Sequence, residues 1–441
     1  MFDALHLISK KLLPSWMYQR LIGNWDKTGL QKYFFNTGWL FSARIISFIV
    51  SFLTISFVAR YLGPDNYGKL SYVQSYVSLF SILATLGIDQ ILYRDLIEKP
   101  ENERVIIGTA VATKFVFGTG ALIIATLVAL FLNEEALLTW MVLLVSLTFI
   151  FQPFGVVAHY FNAQVKSKYA AYGSILLTFL IPLLKLICIL MGLGILYFAA
   201  LLAFEALALS LFNMYVYTRY FHKSVLQWRF SFDTFLKLMY EAAPLIFAGI
   251  SGYLYARIDQ VMIQHMVNSQ SVGFYDIAVK FSDMLGMIPG IIIGSLFPAI
   301  VNARSTSLDE YKKRLHAITL LCLVITFIFS LILYISSPFF IPLLFGQEFI
   351  GSVAILKIYV WSNMGTVSFM LIQNYLIAEK RVSQILYLSI IGATINILLN
   401  VVLIPKLGAV GAAYATLSTL FCIITVFLLT NFFQNQRSTL K

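Results

Sequence analysis

Residues 39–94 read WLFSARIISFIVSFLTISFVARYLGPDNYGKLSYVQSYVSLFSILATLGIDQILYR. They contain two apolar runs, each long enough for a helix that crosses a bilayer, which takes roughly 20 residues. The connector Arg60–Lys69 holds Pro64 and Gly68, both helix breakers, so the stretch is expected to form a transmembrane hairpin. Its helices carry polar stripes. Arg44, Ser47, Ser51 and Thr54 share one face of the first, and Ser71, Ser75, Ser78, Thr85 and Asp89 share a face of the second. Hydrocarbon satisfies none of these groups, so the stripes point to the wall of a water-filled cavity.

Composition agrees with that reading. The 441-residue chain is 60% hydrophobic and only 12% charged, far from the roughly one-quarter charged residues of soluble domains. It reads as an all-α polytopic membrane protein. The net charge of +11 would suggest nucleic acid in a soluble protein, but here the positive-inside rule accounts for it, and no nucleic-acid partner is expected. Cys188, Cys322 and Cys422 lie in apolar runs and are odd in number, so no disulfide framework is expected.

About twelve spans follow: 36–58, 69–93, 105–131, 138–163, 171–192, 195–218, 242–264, 273–299, 316–336, 353–377, 385–404 and 410–432. The domains expected are an amphipathic cytoplasmic segment (1–35), an N-lobe (36–218), a basic cytoplasmic connector (219–241), a C-lobe (242–432) and a cytoplasmic tail (433–441). Outside the spans, 22 Lys and Arg fall on one side and three (Arg60, Lys69, Lys406) on the other, which puts both termini in the cytoplasm. The halves resemble each other. Tyr67–Leu70 returns as Val272–Tyr275 at an offset of 205, and Tyr160–Lys168 returns as Tyr375–Ser383 at about 215. Six spans per half start both copies on the same side, so the lobes are pseudo-symmetric about an axis along the membrane normal, with a site between them.

Six basic residues lie inside spans: Arg44, Lys114, Lys185, Arg257, Lys280 and Lys357. A buried cation costs about 2.5–3.5 kcal/mol on insertion scales, so each needs a partner, an exit or a role. Lys357 sits near a span start and is read as snorkelling. Lys280 shares a face with Asp276 and Asp283, which allows an ion-pair cluster or a substrate contact. Arg44, Lys114, Lys185 and Arg257 are expected to converge on one central cavity, Lys114 and Lys185 having no obvious local acid. Asp89, Glu205, Asp259 and Asp283 are candidates for proton or sodium coupling. Tyr76, Tyr253 and Asn363 are candidate sugar contacts. No metal-ligating, phosphate-loop or nucleophile motif stands out, and the outward loops are short, which disfavours an enzyme and a bound cofactor.

The strings ARYLGPDNYGKLSYVQS and LATLGIDQILYRDL, with APLIFAG, RIDQVMI, VGFYDIAVKFSD and IPGIIIGSLFPAI in the second half, resemble the polysaccharide repeat-unit flippases. These belong to the multidrug/oligosaccharidyl-lipid/polysaccharide exporter superfamily. The resemblance covers the chain after residue 35 and implies a MATE-like fold and alternating access. It further implies translocation of undecaprenyl-pyrophosphate-linked oligosaccharide across the bacterial inner membrane, for O-antigen or another surface polysaccharide. Arg44 resembles a first-helix arginine in the lumen of related lipid-linked precursor flippases. Implied partners are the lipid-linked oligosaccharide, the bilayer and a polysaccharide polymerase or assembly machinery. The alternatives are a cation-coupled multidrug exporter of the same superfamily and, further off, a membrane glycosyltransferase or polymerase.

Overall fold

The computed structural model describes the backbone of residues 27–439 apart from 133 and 380. Side chains are described from Ser47 on, apart from short stretches, chiefly 297–306 and the last ten residues. The expected N-terminal segment therefore lies outside the described residues except for the backbone from Lys27 on, and of the expected tail only the backbone to Thr439 is described. Helix α1 (Lys27–Thr85) contains the opening hairpin. Its break is Gly63, at φ 69° and ψ 169°, a left-handed φ that side chains disfavour. Pro64 then restarts the helix, because a helix's first turn does not use the N–H that proline lacks. The arms fold back on each other, since Ser51, Thr54 and Val58 of one and Tyr67, Ser71 and Gln74 of the other line the same cavity. The second arm breaks again at Leu86 and Gly87, both at positive φ, and continues as α2 (Asp89–Glu98).

The N-lobe continues with α3 (Glu103–Phe131), α4 (Ala136–Ser146), α5 (Thr148–Phe151), α6 (Val156–Ala163), α7 (Lys168–Leu190) and α8 (Ile195–Tyr220). The fourth expected span is thus one pass in pieces, interrupted by a 3-10 turn at Gln152–Gly155 around Pro153. Next come α9 (Phe232–Met266), α10 (Ser269–Thr306), α11 (Leu308–Phe345), α12 (Gly351–Tyr359), α13 (Ser362–Ala378), α14 (Val382–Leu407) and α15 (Ala409–Thr439). The described residues hold no strand. Ten segments among them are long and apolar enough to cross a membrane. One, Ser47–Glu98, contains both hairpin arms, and α9 adds the pass that hydropathy alone leaves out, so the fold is the expected two-lobed helical bundle.

The lobes meet unequally along their length. At the end that carries the Gly63 break, which we term the hairpin end, one apolar core runs through both lobes, from Phe52, Tyr72 and Phe198 to Tyr275, Phe281 and Phe345. Towards the opposite, connector end the cores of the described residues are separate: one is built on Ile88, Leu92, Ile107 and Phe161, and two smaller ones lie in the second half. Gly68 and Gly273 explain the tight hairpin end. A Cβ on Gly68 would lie 1.7 Å from the Ser269 carbonyl oxygen, and one on Gly273 would lie 2.3 Å from that of Pro64. These glycines are equivalents at the 205-residue offset, so the repeats touch through matching positions, as a two-fold axis requires. Arg60 adds a clasp from the first arm, donating Nε to the Leu344 carbonyl at 2.9 Å and Nη2 to that of Leu343, the last turn of α11.

The connector is docked against the N-lobe. The Arg229 N–H donates to the Arg104 carbonyl at 3.1 Å, and the Ser231 N–H to Thr109 Oγ1 at 3.0 Å. Gly108 leaves room for this backbone, which a Cβ would meet at 2.6 Å. The lobe boundary expected at 241/242 falls inside α9, and this corrects the sequence reading. Leu238 and Ala242 are part of an N-lobe core, and Lys237 and Glu241 pair with Asp95 and Arg94 of α2. Helix α9 thus starts in the N-lobe and finishes among α14 and α15. Gly68→Ala is expected to cost about 1–3 kcal/mol by overpacking and to part the hairpin end. A lower unfolding temperature, with faster maleimide labelling of a cysteine at Ser71, would show this; unchanged labelling would contradict it.

Candidate functional site

A cavity of about 330 Å³ lies within the N-lobe, walled by both arms of α1, by α7 and by α8, with Lys280 of α10 reaching in. Ligand pockets span about 300–1,000 Å³, so it has room for a compact head group. The helix faces decide its chemistry. Ser51 and Thr54 come from the first arm, Tyr67, Ser71 and Gln74 from the second, and Ser174, Thr178 and Lys185 from α7. Pro182, also on the wall, cannot donate to the Thr178 carbonyl one turn earlier, which leaves an acceptor without its helical donor beside the cavity. Glu205 of α8 faces Lys185, and the two ammonium groups of Lys185 and Lys280 are within electrostatic reach of each other. The lining therefore holds two ammonium groups and one carboxylate. A site was expected between the lobes; the walls of this cavity are N-lobe, and the C-lobe contributes Lys280.

Lys280 has a second set of contacts. Its Nζ lies 2.6 Å from Asp276 Oδ2 and donates to Tyr67 Oη at 3.1 Å. Asp276 is 1% exposed and accepts from Tyr67 Oη at 2.7 Å, Ser71 Oγ at 2.9 Å and Gln260 Nε2 at 3.1 Å. Tyr67 and Ser71 belong to one lobe and Gln260 to α9, so this carboxylate sits where the halves meet. Ser75 Oγ donates to Gln260 Oε1 and extends the network.

The four cations expected to converge do not all do so. Lys185 lines the cavity. The side chain of Arg44 lies outside the described residues. Lys114 is 4% exposed, and the expectation that it lacks an acid is corrected: its Nζ pairs with Asp89 Oδ1, and His159 Nε2 lies 3.2 Å from the same oxygen. Residues 25 apart in sequence, on helices meeting only in the fold, escape a search for partners within a turn. Arg257 is exposed on α9, within electrostatic reach of Asp283 and Tyr359, and is not part of the cavity lining.

The sugar-contact candidates also lie away from this cavity. Tyr76 is buried and donates to the Ala125 carbonyl at 2.9 Å. Asn363 donates Nδ2 to Ser282, at 3.2 Å to its carbonyl and 2.9 Å to its Oγ. Both polar groups are occupied by helix packing. Tyr253 is partly buried and is not part of the lining. Asp259 is 6% exposed and heads a polar cluster that sequence reasoning missed. It accepts from Tyr275 Oη at 2.5 Å, Thr416 Oγ1 at 2.8 Å and Asn400 Nδ2 at 2.6 Å. Asn400 Oδ1 and Asn396 Nδ2 have no hydrogen-bond partner there. Asn396 and Asn400 are one turn apart on α14, a spacing visible in sequence once α14 is known to pack on α9.

Residues 34–304 match the family described as "Polysaccharide biosynthesis protein". The chain is 23% identical over 393 residues to "Lsg locus putative protein 1" of Haemophilus influenzae, covering 84% of this chain and 92% of that one. It is 21% identical over 338 residues to "Succinoglycan biosynthesis transport protein ExoT" of Rhizobium meliloti, covering 75% and 64%. Among solved structures it superposes on the "Lipid II flippase MurJ, inward closed conformation" with a TM-score of 0.73 at 14% identity, covering 89% and 87%.

Replacing Asp89 with Asn strands Lys114 in the N-lobe. Breaking a buried pair costs about 3–5 kcal/mol, and the lower end applies because the Asp89 side chain is 37% exposed. The variant should reach the membrane at reduced abundance, and adding Lys114→Met should restore most of it. If Asp89→Asn alone kept normal abundance and lost transport, the pair would be part of the transport machinery instead.

Proposed function

Because the chain belongs to the polysaccharide biosynthesis protein family, we propose that it flips undecaprenyl-pyrophosphate-linked oligosaccharide repeat units across the bacterial inner membrane by alternating access. The coarser statement, a membrane transporter of the polysaccharide flippase type within the exporter superfamily, follows from the family and the fold. The observation that carries the finer one is the cavity with Lys185 and Lys280. A pyrophosphate cannot enter hydrocarbon without replacement of its water, and fixed ammonium groups supply charge-assisted donors for it. Hydroxyls of Ser51, Thr54, Tyr67 and Thr178 are at hand for the first sugar. At about 330 Å³ the cavity takes the head group and not a whole repeat, so the remaining sugars extend from it and the polyprenyl tail stays in lipid. Arg44, on the same stripe as Ser51 and Thr54, belongs to this head-group role by its place on α1.

Both termini face the cytoplasm in this reading, so the hairpin end is the outer end and the separated cores lie inside. A cavity closed at the hairpin end then corresponds to loading from the cytoplasm. Two groups are suited to coupling. Glu205 can take a proton inside the cavity, which would free Lys185 for the head group. The Asp259 cluster offers a carboxylate, Thr416 and two asparagine amides for a sodium ion or proton. The polymerase that consumes the flipped repeat would act from the outer face. A cation-coupled multidrug exporter fits less well, because cationic drugs need an excess of carboxylates and this lining has two ammonium groups against one.

The test is a reconstituted flipping assay. Purified protein in proteoliposomes should move a labelled undecaprenyl-pyrophosphate glycan between leaflets, and Lys185→Met should cut the rate about tenfold or more, the loss of about one charge-assisted contact. Extrusion of a cationic dye with no glycan movement would favour the drug exporter.

A further inference from the structure

Among the described residues Lys280 is the one charged group shared by the cavity and the interlobe network, and its two surroundings compete for it. On one side it is, among the described residues, the only cation that meets the Asp276 carboxylate, whose other donors, Tyr67, Ser71 and Gln260, are neutral. On the other its side chain keeps 29% exposure and faces the cavity that contains Lys185 and Glu205. Asp276 holds the second arm of α1 against α10 a turn from the Gly68–Gly273 contact. A buried carboxylate deprived of its cation is strongly destabilising and is relieved by admitting water. Parting of the second arm of α1 from α10 admits that water along the whole carboxylate.

We propose that Lys280 is the trigger that links loading of the cavity to opening of the hairpin end. An anionic head group in the cavity draws the ammonium away from Asp276. The carboxylate is left between the lobes with neutral donors alone, the closed hairpin end loses its advantage, and the population moves to the opposite-facing state. The empty protein stays closed because Lys280 has no better partner than Asp276. Tyr67 accepts from Lys280 and donates to Asp276, so it senses both states and relays the change to the second arm. The inference rests on the reading of the cavity as a pyrophosphate site and adds to it how binding is converted into movement.

The experiment uses the full chain in nanodiscs, with spin labels on cysteines at Asn66 and Gln270, on opposite sides of the hairpin end, in a Cys422→Ser background. Farnesyl pyrophosphate is the probe, its binding is measured separately by calorimetry, and the label distance reports opening. In the wild type the probe should bind and raise the open-to-closed ratio about tenfold. In Asp276→Asn it should bind at least as tightly and leave the ratio unchanged, because Lys280 is no longer needed elsewhere. Lys280→Met should bind more weakly and open without probe, and Lys280→Arg should restore closure. Binding to wild type without any change in distance overturns the trigger, and so does an undiminished shift in Asp276→Asn. Absence of probe binding to the wild type overturns the pyrophosphate reading itself, and the trigger with it.

Discussion

The carboxylate of Asp276 is the constraint around which the two lobes are arranged. It is almost fully buried in a helical membrane protein, so its charge has to be answered within the fold. Both lobes contribute: Tyr67 and Ser71 from the second arm of α1, Gln260 and Lys280 from α9 and α10. Around it the chain is built for close approach. Gly68 and Gly273 let backbones touch, Arg60 clasps the last turn of α11, and an apolar core continues across the junction. Towards the connector end no comparable core joins the lobes among the described residues; there α9 bridges them, tied to α2 by Arg94–Glu241 and Lys237–Asp95.

Three sets of intramembrane charge differ in what answers them. Lys114, Asp89 and His159 satisfy each other inside the N-lobe and leave little for a ligand. Asp259 is held by Tyr275, Thr416 and Asn400, with spare amide atoms of Asn396 and Asn400 beside it, a group suited to a small cation or a proton. Lys185, Glu205 and Lys280 face open volume, where fixed charge meets space for a head group. Three chemically similar-looking sets of intramembrane residues thus have three different structural positions.

Much of this was legible in the chain. Pro64 between apolar runs announced the hairpin, although the break itself is Gly63 and Gly68, read as a breaker, is helical; the stripe with Ser51 and Thr54 does line a cavity. The 205-residue offset carried more than was drawn from it, since Gly68–Gly273 and Ser71–Asp276 are contacts between equivalent positions. What stayed hidden depends on packing between helices. Lys114 looked alone because its acid lies on another helix. Tyr76 and Asn363 looked free because their partners, Ala125 and Ser282, are a backbone carbonyl and a serine of neighbouring helices. The boundary at 241/242 followed the change from basic to apolar residues, yet α9 runs through it because Lys237 and Glu241 find partners on α2. Helical periodicity reports which face a residue occupies, and only the fold reports what that face meets.

The central claim is that the N-lobe cavity holds a pyrophosphate between Lys185 and Lys280. The most direct measurement is a cryo-electron microscopy structure of the full chain with a short-chain polyprenyl-pyrophosphoryl sugar. Density for the pyrophosphate within hydrogen-bond reach of both ammonium groups, with the sugar along Ser51 and Thr54, is the result this account requires. Pyrophosphate density elsewhere, with Lys280 still on Asp276 and the cavity filled only by water, would contradict it.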